Sequence, residues 1–240
     1  MTMTLASTEK QSLATQAVLA VRSYMRANAL KVGDALPSEG YFAEDLGVSR
    51  AVIREAFGAL AALNMLDVAN GRRAKVGAMD GSVLAASLDH AVSTAQISVV
   101  DVWDVRRTIE VRIAGLAATG RSDAQARDIL ALADAMRHCA GDLPRLTALD
   151  VAFHQEVAAA SGNPLFVQMV RSYAALMEIA VPRAWSTRTT DEQRATALGQ
   201  HIELARAIAD RDSAAAIAAM DAHFDTSVAD LLASNERAAG

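Results

Sequence analysis

The 240-residue chain has a single cysteine, Cys139, which excludes an internal disulfide framework and a metal site of the CxxC kind. Aromatic residues are also scarce at 4%, and Ala, Leu and Val carry most of the 52% that is hydrophobic. That shortage argues against β-sandwiches and barrels, which draw on aromatic and β-branched residues, and favours alanine-rich helices. Long hydrophobic runs are missing. The longest charge-free apolar stretch, near Ala56 to Leu66, falls far short of the ~20 residues of a membrane span. The opening MTMTLASTEK lacks the basic start and apolar core of a secretory signal. Positive charge is in deficit, with 23 Lys and Arg against 28 Asp and Glu and a net charge of -5. Taken whole, the composition predicts an acidic cytoplasmic protein with no membrane partner and little attraction for nucleic acid.

What is there instead is helical punctuation in quantity. Thr8 with Gln11 matches a capping box and predicts a helix from about Glu9. Lys31-Val32-Gly33-Asp34 should stop it. Pro37-Ser38-Glu39 opens a short helix to about Leu46, Gly47 ends it, and Ser49 caps a third helix from Arg50 to about Leu63. Asn70-Gly71 between Met65–Ala69 and Arg72–Val76 is a hairpin signal. Helix, helix, tight turn, helix, hairpin is the order of a winged helix-turn-helix. Gly77 to Gly81 breaks the pattern. Everything beyond reads as helix, near 82–93, 98–119, 122–139, 143–161, 163–182, 190–210 and 212–235. The fold class expected is mainly α. A winged helix-turn-helix occupies 8–76, a linker 77–81 and an all-helical bundle 82–236.

Division of the chain changes the meaning of its charge. Residues 1–80 carry nine basic and eight acidic side chains, net +1, and the other 160 residues carry -6. Between Arg50 and Lys75 five basic residues face only Glu55 and Asp67. Positive charge is thus concentrated where a recognition helix and a wing would meet phosphates. Arg50 and Arg54, four residues apart, share one face of the third helix, and arginine can bond guanine bidentately. Arg72, Arg73 and Lys75 would reach the backbone or the minor groove.

Asp34 to Glu39, Ala43 to Arg50 and Ile53 to Ala56 together resemble the N-terminal domain of GntR-type transcriptional regulators. The resemblance implies that Arg50 and Arg54 of the recognition helix and Gly71 of the wing serve at DNA, and Ser49, Ala51, Arg72 and Arg73 beside them complete the candidate DNA-binding set. It implies a homodimer on a palindromic operator. Two departures stand out. Gly40 occupies the place where relatives usually carry a DNA-contacting arginine, and Ala51 follows Arg50 where many have a polar group.

In the second half, Asp150 and His154 are four residues apart on one helix, flanked by Leu146, Phe153 and Val157. His201 lies nine residues before Asp210, and His223 eleven after Asp212. If the helices fold back antiparallel about that turn, both imidazoles stand at nearly one height. One Asp and three His could then hold a divalent metal, zinc first, with nickel or manganese as alternatives. His90 and His138 have no partners by spacing, and Trp103 and Trp185 read as core first, with cavity wall as the alternative.

Leu149 to His154, Ser161 to Pro164, His201-Ile202 and Met220 to His223 are similar to the C-terminal FCD domain of the FadR branch of that family. The resemblance implies that Asp150, His154, His201 and His223 are metal ligands. It also implies that Arg106, in Asp104 to Glu110, faces a ligand cavity, where it would receive a small carboxylate effector. Asn163 is a further candidate effector contact, equally explained as a helix cap. The expected function is therefore a metabolite-responsive DNA-binding regulator acting by repression. Two alternatives are open: a metalloenzyme built on the Asp/His site, for which Glu156 lies well around from the ligand face, or a regulator with a purely structural zinc.

Overall fold

The computed structural model describes residues 12–69, 71–139 and 141–239, with side chains described as far as Ser227. The expected Thr8–Gln11 capping box and Asn70 lie outside the described residues. Two compact units meet in the chain at Val83 and Leu84.

In the first unit, α1 (Leu13–Ala27), α2 (Glu39–Leu46) and α3 (Arg50–Ala62) are each opened by a serine. Ser12, Ser38 and Ser49 accept the backbone N–H three residues on, satisfying a donor that the first helical turn leaves free. Val21, Phe42, Ile53 and Leu60 form the buried core. Four of the chain's few aromatics serve this unit: Phe42 packs edge-on against Tyr24 at 5.2 Å, Tyr41 at 5.5 Å and Phe57 at 5.8 Å.

The wing is looser than Asn-Gly suggested. β1 (Leu66–Asp67) pairs with β2 (Lys75–Val76) in the register Leu66 to Val76, and residues 68–69 and 71–74 stand outside the ladder, so the strands are not joined by a two-residue turn. The hydrogen bonds that would have extended this ladder go elsewhere. Leu36 N–H bonds Ala74 O at 2.8 Å and Val76 N–H bonds Asp34 O at 2.9 Å, so the segment before α2 pairs with the second strand.

Residues 77–81, expected as a free linker, are bonded into this unit. Gly77 N–H donates to Met65 O at 2.9 Å, and Asn64 Nδ2 donates to Asp80 Oδ1 and Ser82 Oγ, both at 2.8 Å. A Cβ at position 77 would lie 2.3 Å from Asn64 O, so only glycine fits this crossing.

The second unit is helical throughout. α4 (Ser82–Ser93) leads into α5 (Val99–Gly120), α6 (Asp123–Arg137), α7 (Leu143–Ala160), α8 (Pro164–Ser172), α9 (Ala174–Thr187), α10 (Asp191–Ala209) and α11 (Ser213–Ala239). Small residues let the helices approach: Ala114, Ala117, Ala158, Ala205 and Ala216 are fully buried. Where α5 crosses α11, Ser213 Oγ donates to Gly115 O, and a Cβ at Gly115 would stand 2.9 Å from Ile217 Cδ1.

The single helix expected over 163–182 is two. The chain turns at Tyr173, whose N–H bonds back to Val170 O at 3.2 Å while its side chain is buried. α9 then continues through Pro182 to Thr187. Proline removes one backbone donor, a cost this helix absorbs by packing.

Candidate functional site

In the first unit, Ser49 holds the start of α3 so that Arg50, Ala51 and Arg54 are exposed on its first turns. Arg50, Arg54, Gly71, Arg72 and Arg73 line an open groove of about 930 Å³ between α3, the wing loop and the start of α2. Ser49 and Ala51 are not among its lining residues. Gly71 bends the loop at φ 73°, which presents Arg72 and Arg73 outward. Arg54 donates to Glu39 Oε2 at 3.3 Å, yet its side chain remains 73% exposed, so the pair yields cheaply to a competing anion. The Arg50 guanidinium fills the space over Gly40: a Cβ there would be 3.2 Å from its Nη2. The groove offers several cations against the single carboxylate of Glu39, the chemistry of a phosphate and base-edge reader.

The second site is buried. α7 supplies Asp150 and His154, α10 supplies His201 and α11 supplies His223, all sequestered from solvent. One nitrogen from each histidine lies within 4.8 Å of those of the other two. The His201 and His223 ring centroids are 4.5 Å apart, as the antiparallel turn required. Asp150 joins through Oδ1, 3.2 Å from His201 Nε2.

Hydrogen bonds orient the rings. His154 Nδ1 faces Glu110 Oε2 at 2.5 Å, so it carries the proton, and its Nε2 lone pair is left buried with no partner. His201 Nδ1 faces Ala197 O at 3.0 Å and its Nε2 faces Asp150, so both nitrogens meet acceptors. A neutral imidazole has only one N–H, so this position calls for a second proton or a cation. The set of three imidazoles and one carboxylate fits a divalent transition metal.

Electrostatics agree with that demand. Burial works to raise the Asp150 carboxyl, but the His201 hydrogen bond and the fields of all three histidines hold it below the usual carboxylate range. Burial likewise opposes ionisation of Glu110, and Arg106 with His154 outweighs it. His223 is held well below the usual imidazole value by burial first, then by His201 and His154.

Arg106 stands on the same wall. Its Nε donates to Glu110 Oε1 at 2.7 Å, its Nη1 touches Met177 Sδ, and its guanidinium lies 4.9 Å from the Trp103 ring and 5.4 Å from Phe224. A narrow cavity of about 40 Å³ is lined by the four candidate ligands together with Arg106, Trp103, Val181, Ala184, Arg188, Phe224 and Ser227. Asn163 does not reach it. Its Oδ1 accepts the Leu165 N–H at 3.0 Å and its backbone opens α8, so its polar atoms serve the helix cap.

Sequence reasoning missed Glu110, Arg188 and Ser227, and it left Trp103 as core or cavity wall. For Glu110 a signal existed: Arg106 and Glu110 are four apart on a helix whose other buried positions are mostly apolar. Glu156, the candidate base of the enzyme alternative, is raised by burial and by Asp128 of α6 and does not line the cavity.

Comparison with known proteins matches residues 13–76 to the bacterial regulatory proteins of the gntR family and residues 101–226 to the FCD domain. The chain is 30% identical to the HTH-type transcriptional regulator LutR of Bacillus subtilis over 212 residues, 85% of this chain and 93% of that protein. It is 32% identical to the Glc operon transcriptional activator of Escherichia coli K12 over 153 residues, 62% of this chain and 60% of the relative. A solved GntR structure from Streptococcus agalactiae superposes with a TM-score of 0.64 at 28% identity, covering 90% of this chain and 99% of that one. These relatives are transcriptional regulators, not enzymes.

Proposed function

Because the chain belongs to the GntR family of DNA-binding transcriptional regulators and carries its FCD domain, we propose that its operator affinity is set by a small carboxylate bound beside a divalent metal in the second unit. The observation that carries this reading is the single buried cavity in which His154, His201, His223 and Asp150 converge next to Arg106.

His154, His201, His223 and Asp150 would hold the metal, zinc first, with nickel or manganese alternatives. A bound metal would supply an electrophilic centre for an anionic oxygen. The protein's own residues do the rest. Glu110 keeps the His154 proton on Nδ1 and its lone pair turned inward. Arg106, held by Glu110, gives a second positive charge for a carboxylate. Ligand capture shifts the helices that carry these groups, and the shift alters the spacing of two DNA-binding units in a cytoplasmic homodimer on a palindromic operator. Repression is the direction adopted, because a bound dimer need only cover a promoter, whereas activation requires a further surface for polymerase.

Gel-shift titration with promoter DNA tests the reading. Operator binding that weakens on addition of small hydroxy or sugar acids to zinc-loaded protein is expected, with no response after chelation. Operator binding indifferent to every acid overturns the effector site. A His201→Ala variant that loses thermal stability but keeps its effector response would make the metal structural.

A further inference from the structure

Five buried side-chain polar atoms among the described residues have no hydrogen-bond partner, and two of them belong to residues lining the same 40 Å³ cavity. One is the Nε2 lone pair of His154, an acceptor. The other is the indole N–H of Trp103, a donor on a side chain only 3% exposed. A buried polar atom left unpaired keeps the full cost of its desolvation, so both atoms call for an occupant. The demands are opposite: the lone pair wants a cation, the indole wants an anion's oxygen. Arg106 stacks over the indole ring, which fixes the ring plane and adds positive charge beside it. Arg188, half-buried, adds a cation to the lining, and Val181 and Ala184 leave an apolar wall.

We propose that Trp103 is an effector-binding residue, its indole N–H donating to one oxygen of the carboxylate effector. The proposal rests on the carboxylate reading given above and deepens it.

The test uses the full zinc-loaded chain with glycolate and lactate as probes. The protein has two tryptophans, so two indole N–H resonances are read by NMR, and Trp103→Phe identifies one of them by its loss. Glycolate and lactate are expected to move the Trp103 resonance downfield and leave the other in place. Trp103→Phe, which keeps the ring and removes the donor, should bind both acids about tenfold more weakly, with zinc affinity unchanged in a chelator competition.

An unmoved Trp103 resonance in a wild-type protein that lactate stabilises would mean that the indole meets only an ordered water, and the proposal fails. Equal lactate affinity in Trp103→Phe and wild type overturns it as well. If no acid stabilises the wild-type zinc-loaded protein, the carboxylate reading itself falls. The wild-type resonance carries the result even where the variant folds poorly.

Discussion

At the scale of single residues, the buried centre is held by groups that do different work. Glu110 touches two of them, Arg106 and His154. Glu110→Gln should therefore weaken zinc binding roughly tenfold to a hundredfold, the usual effect of losing a partner that orients a ligand. Competition with a chromophoric chelator measures it, and unchanged affinity would remove Glu110 from the site. The ionisation of the same cluster has a sign. Asp150, Glu110 and His223 all have folded-state values below their ordinary ones. The unfolded chain thus takes up protons at a pH where the folded chain does not, and stability is lost on acidification. In metal-free protein the loss should begin as the pH falls through the ordinary His223 value of 6.5 and continue into the carboxylate range. Urea midpoints between pH 7.5 and 4.5 would show it, and a flat profile counts against the buried network. In the groove, Arg54→Ala should cost about 1–3 kcal/mol of binding at one base position, and Arg72→Ala should weaken all sequences alike and lower the salt slope by about one.

The His201–His223 encounter was legible from spacing, because two helices folding back about one short turn rise equally along a common axis. Glu110 was not legible in the same way. Its partner His154 is 44 residues distant, and which wall of α7 meets α5 depends on packing that no local pattern encodes.

Between elements, contact distance decides. Gly115 is where α5 and α11 come closest, with Ile217 against the missing side chain. Gly115→Val should destabilise the second unit by about 1–3 kcal/mol, as overpacking of a filled crossing does. Adding Ile217→Ala should recover part of it, and thermal melts of the single and double variants measure the coupling. The ends of α5 and α10 are tied in reciprocal fashion. Arg211 donates to Thr119 O and Arg121 O at the end of α5, and Arg121 donates to Ile208 O and Ala209 O at the end of α10. Cations there meet the negative ends of both helix dipoles. Helix starts were readable because capping is local: Ser122 with Gln125 forms a full capping box. The break at Tyr173 was not, since neither glycine nor proline marks it and burial of the side chain accompanies the turn.

For the whole molecule, the net charge of -5 conceals two populations. The acid excess belongs to the helical unit, and the groove of the first unit collects Arg50, Arg54, Arg72 and Arg73. Operator binding should consequently fall steeply with salt despite the acidic total. Affinity measured across salt concentrations checks it, and a slope near zero would deny the groove its role. Zinc at a thousandfold excess over its dissociation constant should stabilise the folded chain by about 4 kcal/mol, seen as a rise in Tm that chelation reverses. No helix among the described residues is long and apolar enough to cross a membrane.

The sequence by itself determined the helical character of the chain, its caps, the segregation of its charge, and the meeting of His201 with His223. All of these depend on neighbours within a few positions or on two helices joined by one turn. Only the tertiary structure decided that Glu110 orients His154, that Asn163 stays at its cap, and that Trp103, within the core, also lines the cavity. Those outcomes depend on which polar atoms lose water when α5, α7, α9, α10 and α11 close together. Desolvation is a property of the assembled helices, so no stretch of chain read alone could announce it.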